Sequence, residues 1–201
     1  MARTRDETRF AAKREAILRA AEACFLEKGF HGTGMAEICK AAGMSPGALY
    51  RYFPSKEAII EGIADEERDE TAGLFAAIEA ADDIVAELVS ALTEVMTAVS
   101  DPDYGRIALE IAAEAGRNPA VAAPFRRNEA LAAERLRAVI AAGQKKGQID
   151  AGVDPGDAAR LMLMLVDGAT GRQAIDKEFD AGALAKSLKA MIGRFLVGGV
   201  G

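Results

Sequence analysis

The chain has few of the residues on which catalytic and metal sites usually depend. Its 201 residues include one histidine, two cysteines and no tryptophan. His31 stands alone beside Gly32 in a predicted connector, too isolated to build a metal site or a nucleophile–histidine–acid arrangement. Metal-ligand spacings and phosphate-cradling glycine loops are also missing from the sequence. We therefore expect no cofactor, no metal and no enzymatic activity, with a helical enzyme as the least favoured alternative.

The sequence also lacks long hydrophobic runs and a cysteine framework. No stretch of 18 apolar residues is present, which argues against a transmembrane helix, and "MARTRDETRF" at the N-terminus has no apolar signal core. We expect a cytoplasmic protein. Cys24 and Cys39 both fall on apolar faces of predicted helices. Buried thiols in a reducing compartment are our interpretation, and a redox-sensing pair is the alternative.

Strand signals are missing as well, and the residues that are abundant favour helices. The sequence has no alternating β-branched run and no Asn-Gly hairpin, while Ala, Leu, Glu, Arg and Lys dominate it. The prediction is an all-α fold. Apolar periodicity and Gly/Pro punctuation predict helices over 9–28, 35–42, 46–53, from 55 onward, 83–99, 103–116, 119–146, 155–176 and 181–197. Because no flexible linker interrupts the chain, the N-terminal and C-terminal parts are expected to share a helix.

Charge is distributed unevenly along the chain. The net charge is −6, from 25 basic and 31 acidic residues. Residues 1–56 hold 10 basic and 6 acidic side chains, which gives +4, so the remaining residues carry −10. A basic N-terminal segment followed by an acidic body is compatible with nucleic-acid binding through the first segment. A chance fluctuation is the alternative.

The stretch "AEICKAAGMSPGALYRYFPSKEAI" breaks and restarts a helix twice within a few turns. Gly43 ends one helix, Ser45 and Pro46 are good N-cap and N1 residues for the next, and Pro54 stops that one after about two turns. Two short helices joined by a glycine-containing turn predict a helix-turn-helix, whose second helix places its N-terminal residues in a DNA major groove. Leu49 and Phe53 are expected to anchor this helix inward. Pro46, Gly47, Ala48 and Arg51 are expected to face outward.

The segment from Arg14 to Ile60 resembles the DNA-binding domain of the TetR family of bacterial transcriptional regulators. The resemblance rests on the "KGF" turn, on "AAGMSPGALYRYF" and on "SKE" at the start of the fourth helix. It implies a DNA-binding domain over 8–68, with the motif at about 34–53, and an effector-binding and dimerisation domain over 69–201. It further implies a homodimer that reads a near-palindromic operator and is released by a small-molecule effector, most often as a repressor. A DNA-binding dimer without an effector is the alternative.

The same resemblance assigns the DNA contacts. Tyr50, Tyr52 and Lys56 match positions that contact phosphates in the family, although both tyrosines could instead be half-buried core residues. Lys56 also lies in a first helical turn, where the helix dipole disfavours a cation, and a bound phosphate would explain its presence. The predicted DNA-binding residues are Thr33, Gly34, Ser45, Pro46, Gly47, Ala48, Tyr50, Arg51, Tyr52 and Lys56.

Two of these positions depart from the family pattern. Gly34 stands where a second threonine is common, so it offers no hydroxyl, and Ala48 also stands where threonine is common. Arg51 and the methyl group of Ala48 are therefore the remaining candidates for reading bases.

Two further sets of residues are predicted in the C-terminal part. Apolar and small residues at helical spacing predict that the last two helices pair with their mates as a four-helix bundle. The predicted interface residues are Leu161, Leu165, Gly168, Ala169, Arg172, Leu184, Leu188, Met191, Ile192 and Phe195. Glu110 and Glu114, one turn apart, are candidates for selecting a cationic ligand in a pocket, and a solvated helix edge is the alternative.

Overall fold

The structure is a computed structural model, in which the backbone is described for residues 2–176 and 178–198 and side chains are described from Thr8 onward. Every regular element within those ranges is helical, which confirms the all-α prediction. The helices are α1 (Ala2–Gly32), α2 (Met35–Ala41), α3 (Pro46–Tyr52), α4 (Lys56–Ala80), α5 (Ile84–Val99), α6 (Pro102–Ala115), α7 (Pro119–Lys145), α8 (Pro155–Ile175) and α9 (Ala185–Val197), with a short 3₁₀ turn at Gly182–Leu184 before α9. No helix in the described ranges is long and apolar enough to cross a membrane.

The chain forms two compact units. The first comprises the chain up to Glu66 together with Glu110–Phe125, and the second comprises Glu67–Leu109 together with the chain from Arg126 onward. Helices α4, α6 and α7 therefore each contribute residues to both units. The boundary predicted after residue 68 lies close to Glu66, but the sequence did not indicate that a later segment joins the N-terminal unit.

The first unit is built around α1, which is longer than predicted and changes direction near its end. Gly29 has φ +71° and ψ 167°, a backbone conformation that only glycine adopts without strain, so it interrupts the helix as predicted. Helix α2 packs on α1, and α3 packs on α2. The buried apolar residues of this unit include Ile17, Leu18, Ala21 and Phe25 of α1, Ile38 of α2, Leu49 of α3, Phe53 after it, and Ile59 and Ile60 of α4.

The second unit is centred on α5, which packs against α8 and α9. Its main core contains Leu88, Val89, Val139, Ile140, Met162, Ile192 and Leu196, and a smaller cluster forms around Met96, Val99 and Ala181. Gly105 marks the closest approach of α6 to α8. A Cβ atom at this position would lie 3.0 Å from the Thr170 carbonyl oxygen and 3.1 Å from the Ala174 amide nitrogen, so glycine lets the two backbones meet.

Candidate DNA interface

The N-terminus of α2 is capped by a residue that lies one turn inside the helix. Gly34 occupies the N-cap position with extended backbone angles and has no side chain with which to cap the helix. Glu37 replaces that cap, because its Oε2 accepts a hydrogen bond of 2.7 Å from the Gly34 amide. This hydrogen bond favours the charged form and lowers the pKa of Glu37 below its usual value. The Gly-x-x-Glu spacing was the available sequence signal for this half of a capping box.

The turn between α2 and α3 is closed by backbone and thiol hydrogen bonds. Gly43 has φ +62°, and the Met44 amide donates to the Cys39 carbonyl at 3.0 Å. The Cys39 thiol in turn donates to the Met44 carbonyl at 2.7 Å. Cys24 is buried too, and burial raises the pKa of its thiol. Both cysteines are buried in the first unit, which agrees with the interpretation that they are buried thiols.

Helix α3 presents one face to its neighbours and the other to solvent. Leu49 and Phe53 are buried, which confirms the predicted anchors. Ser45 has the backbone geometry of an N-cap, but its hydroxyl makes no capping hydrogen bond with α3. The residues of the opposite face are exposed, namely Ser45, Pro46, Gly47, Tyr50 and Arg51, and Ala48 is half-buried. A short helix with an anchored inner face and an uncovered outer face is what insertion into a major groove requires.

The two predicted tyrosines have different environments. Tyr50 is 51% exposed. Tyr52 is half-buried and stacks on Phe10 of α1, with ring centroids 4.6 Å apart and an interplanar angle of 27°. The half-buried alternative thus describes Tyr52, whereas Tyr50 is free of the core and open to a phosphate.

Two of the predicted DNA-binding residues have other partners within the protein. Thr33 is buried, and its hydroxyl donates to the Cys24 carbonyl at 2.9 Å, which argues against a DNA contact through this side chain. The ammonium group of Lys56 donates to the Phe30 carbonyl at 2.5 Å and to the Thr33 carbonyl at 2.9 Å. It also lies 4.0 Å from the centroid of the Phe30 ring. These carbonyls account for a cation in the first turn of α4 without a bound phosphate.

Glu110 and Glu114 lie in the first unit and bind the end of α1, after its kink at Gly29. Oε2 of Glu110 accepts a hydrogen bond of 3.2 Å from the Phe30 amide. Glu114 is buried and contacts Nε2 of His31 at 2.9 Å, Nε of Arg117 at 3.1 Å and Nδ2 of Asn118 at 3.2 Å. Burial alone would raise the pKa of Glu114, but these donors and positive charges outweigh it and lower the pKa.

These contacts change the interpretation of both carboxylates. Glu114 is not on a solvated helix edge, and the proposed role of the pair in selecting a ligand has no support from their surroundings. Sequence reasoning placed them together on one stripe of α6. It could not show that α1, some 80 positions earlier in the chain, supplies their partners.

The second unit has its own group of ionisable side chains, contributed by α4, α6 and α8. Burial and the negative charges of Glu67, Glu70 and Asp167 raise the pKa of Tyr104 to about 12. Glu67 and Asp167 keep exposed surface, so their desolvation is partial. This desolvation followed by the charges of Glu70 and Asp167 raises the pKa of Glu67, and desolvation with the charge of Glu129 raises that of Asp167. No periodic pattern in the sequence groups these residues.

The predicted interface residues of α8 and α9 separate into two sets. Leu161, Leu184, Met191 and Phe195 are between 37% and 48% exposed, and Met164, which was not in the predicted set, is 67% exposed. Gly168 and Arg172 are exposed as well. In contrast, Leu165, Ala169 and Leu188 are partly buried against the core of their own protomer, and Ile192 is buried inside it.

This separation follows from the phase of α9. Ile192 lies one turn before Leu196, which is also buried, so these residues form the inner face of the helix. The prediction merged the inner and outer faces into one stripe, and the placement of Ile192 in the dimer interface was wrong for that reason.

Two family models match this chain. Residues 17–63 match "Bacterial regulatory proteins, tetR family", and residues 85–197 match "BetI-type transcriptional repressor, C-terminal". The second match covers most of α5 to α9, where the sequence alone carried little recognisable pattern. The two matches cover the helix-turn-helix and most of the second unit, respectively.

Individual proteins of this kind are similar to the chain over nearly its whole length. The chain is 32% identical over 192 residues to the HTH-type transcriptional regulator UidR of Escherichia coli K12, covering 94% of this chain and 96% of UidR. It resembles the structure of Salmonella enterica GusR with 38% identity and a TM-score of 0.75, covering 92% and 95% of the two chains. FadR from Bacillus subtilis, solved in complex with stearoyl-CoA, shares the fold with 20% identity and a TM-score of 0.78, covering 90% and 98%.

Proposed function

The chain belongs to the TetR family of bacterial regulatory proteins, and on that premise we propose that it is a repressor which a small molecule releases from a palindromic operator. It is a DNA-binding transcriptional regulator and not an enzyme, and it acts on operator DNA as a homodimer. Its place of action is the cytoplasm, where chromosomal DNA is available. The observation that carries this proposal is the uncovered face of α3, held outward by the buried side chains of Leu49 and Phe53.

The exposed residues of α3 supply the chemistry of DNA recognition. Arg51 can donate two hydrogen bonds to a guanine, and the methyl group of Ala48 can pack on a thymine methyl. Tyr50 and the hydroxyl of Ser45 can donate to phosphates. Lys56 has three ammonium hydrogens and uses two of them within the protein, so one donor is left for a phosphate.

Dimerisation is proposed to use the outward faces of α8 and α9. Leu161, Met164, Leu184, Met191 and Phe195 expose apolar surface on this part of the second unit. Burying such side chains against a second copy is favourable by roughly 25 cal/mol per Å² of apolar surface. Gly168, exposed on α8, allows the partner helix to approach closely. Two subunits joined in this way can place two recognition helices about one DNA turn apart, roughly 34 Å.

Effector binding is proposed to occur in the second unit, which holds the match to a repressor C-terminal domain. FadR, which shares this fold, was solved in complex with stearoyl-CoA, and this supports the proposal that a protein of this fold responds to a small molecule. Glu110 and Glu114 are not part of this proposal, because they belong to the first unit and bind the end of α1. A titration of thermal stability with candidate effectors would separate this proposal from a dimer that responds to no ligand.

The proposal is tested by selecting a binding site and then measuring its release. Duplexes enriched from a random pool by the purified protein give the operator, and fluorescence anisotropy gives its affinity relative to a scrambled duplex. We expect specific binding, a steep loss of affinity with salt, and two-fold symmetry in the selected sequence. Equal affinity for the selected and scrambled duplexes at all salt concentrations would contradict the assignment.

A further inference from the structure

The N-terminal part of α1 extends beyond both the family match and the predicted DNA contacts. Helix α1 begins at Ala2, whereas the DNA-binding family model begins at residue 17. Phe10, in this extension, is 47% exposed, yet its ring stacks on Tyr52, the last residue of α3. This contact fixes the extension of α1 beside the recognition helix.

Two basic side chains lie next to Phe10 on one flank of α1. Successive residues of an α-helix are about 100° apart, so Arg9 lies roughly 100° and Lys13 roughly 60° from Phe10, on the same side of it. Both are exposed. Arg14 lies on the other side of Phe10, where it stacks over Phe53 at 5.1 Å and pairs with Asp65 of α4 at 3.6 Å.

This arrangement determines which way the basic flank faces. Phe53, which follows α3, and Asp65 of α4 both contact Arg14, so the flank of Arg9 and Lys13 lies on the other side of Phe10 from these residues, next to the ring that stacks on Tyr52. Their long side chains are exposed and can therefore extend into the solvent beside Phe10. When α3 lies in a major groove, the DNA surface just beyond it is the phosphate backbone that borders the groove.

We propose that Arg9 and Lys13 form a second phosphate-binding surface, which contacts the DNA backbone beside the groove that α3 enters. The inference rests on the proposed function, since it presupposes that α3 binds duplex DNA. This surface would also supply positive charge where the protein meets DNA. The chain carries a net charge of −6, so binding to a polyanion depends on placing cations at the contact itself.

The bland interpretation is that Arg9 and Lys13 are ordinary solvated charges. The chain offers a matched control, because Arg19 is exposed on the same helix, directly opposite Phe10, and pairs with Glu15. Removing Arg19 changes the net charge as much as removing Arg9 or Lys13 does. It leaves the flank beside α3 untouched.

The test compares Arg9→Gln, Lys13→Gln, their double variant and Arg19→Gln, each as the full-length dimer. Anisotropy titrations against the selected operator and a scrambled duplex give the slope of log K against log salt concentration. A dimer with two contacts per subunit loses four phosphate contacts in the double variant, so we expect the slope to fall by up to about 3.6. We expect equal proportional weakening on both duplexes, and a wild-type slope for Arg19→Gln.

Three results would be decisive against the inference or its premise. A double variant with wild-type slope and affinity overturns the inference, and so does an Arg19→Gln variant that loses as much slope as Arg9→Gln. If the wild-type protein itself shows no preference for any selected duplex, the proposed function fails instead. Circular dichroism melting curves check that all variants are folded, which is expected because the replaced side chains are exposed.

Discussion

Replacing Lys56 with alanine tests whether this residue serves the protein fold, the DNA contact or both. The ammonium group of Lys56 donates to the carbonyl of Phe30, near the end of α1, and to the carbonyl of Thr33, which follows α1. It also lies over the Phe30 ring. The wild-type lysine thus binds the segment that follows the Gly29 kink. The alanine variant would leave both carbonyls without this donor.

The contacts set the expected cost. A hydrogen bond from a charged donor contributes about 1.5–3 kcal/mol, and a cation–π contact contributes about 0.5–1 kcal/mol at a partly exposed site. Because water can replace part of what is lost and Lys56 is only half-buried, we expect a total loss of about 2–4 kcal/mol in the free energy of unfolding. Removing a cation from the first turn of α4 returns a few tenths of a kcal/mol through the helix dipole.

Two measurements separate the roles. Urea denaturation of the variant and the wild type gives the loss of stability, and salt-dependent anisotropy gives the loss of phosphate contacts. If the remaining ammonium hydrogen binds a phosphate, Lys56→Ala weakens operator and scrambled duplex equally and lowers the salt slope by roughly one ion per contact. Lys56→Met, which keeps the aliphatic stem, controls for lost packing.

A stability change below about 0.5 kcal/mol would refute the structural role, since that is the range of ordinary surface substitutions. An unchanged salt slope together with unchanged affinity would refute the phosphate contact. Because the two readouts are independent, one role can fail while the other holds.

Three further substitutions probe other parts of the molecule. Leu161→Arg places a charge on the proposed dimer face, so it should give folded monomers by light scattering and at least tenfold weaker operator binding by anisotropy. The control Leu131→Arg, at an exposed leucine of α7, should remain dimeric. A Leu161→Arg variant that remains dimeric would contradict the interface. Gly105→Ala forces a methyl group against the Thr170 carbonyl and should cost about 1–3 kcal/mol in urea denaturation; wild-type stability would show that α6 and α8 can separate. Glu114→Gln should lower the melting temperature at pH 7. Because folding lowers the pKa of Glu114, the wild type is more stable than the variant above the unfolded-state pKa of about 4.5. This advantage disappears as the pH falls through the folded-state pKa of Glu114. A gap between the Glu114→Gln and wild-type melting temperatures that persists at pH 2 would contradict that assignment.

Local sequence signals located the recognition helix because they act over a few residues. Pro46 and Pro54 restrict the backbone at the two ends of α3, and the spacing of Leu49 and Phe53 determines which face is buried. No distant residue is needed to decide either point. For this reason the predicted and observed limits of α3 agree.

The roles of single polar residues could not be predicted in the same way. The sequence predicts Thr33 and Lys56 as DNA-binding residues but not their partners within the protein. Those partners are backbone carbonyl groups, which every residue has and which a sequence therefore does not single out. The partners of Glu110 and Glu114 could not be predicted for a related reason, since they lie far away in the chain. Backbone acceptors and long-range partners become visible only when the chain is folded.

The division of the chain limits how this regulator can be recombined with others. The chain passes from one unit to the other at Glu66–Glu67, Leu109–Glu110 and Phe125–Arg126. A hybrid that takes its chain up to α4 from this protein and the rest from a relative would combine the native end of α1 with a foreign segment in place of Glu110–Phe125. The partners of Phe30 and His31 would then come from the relative. Exchange of operator specificity between relatives therefore requires the later segment to travel with the first one. Recombinants that exchange only the helix-turn-helix would be selected for compensating substitutions at Glu110 and Glu114, which contact the end of α1.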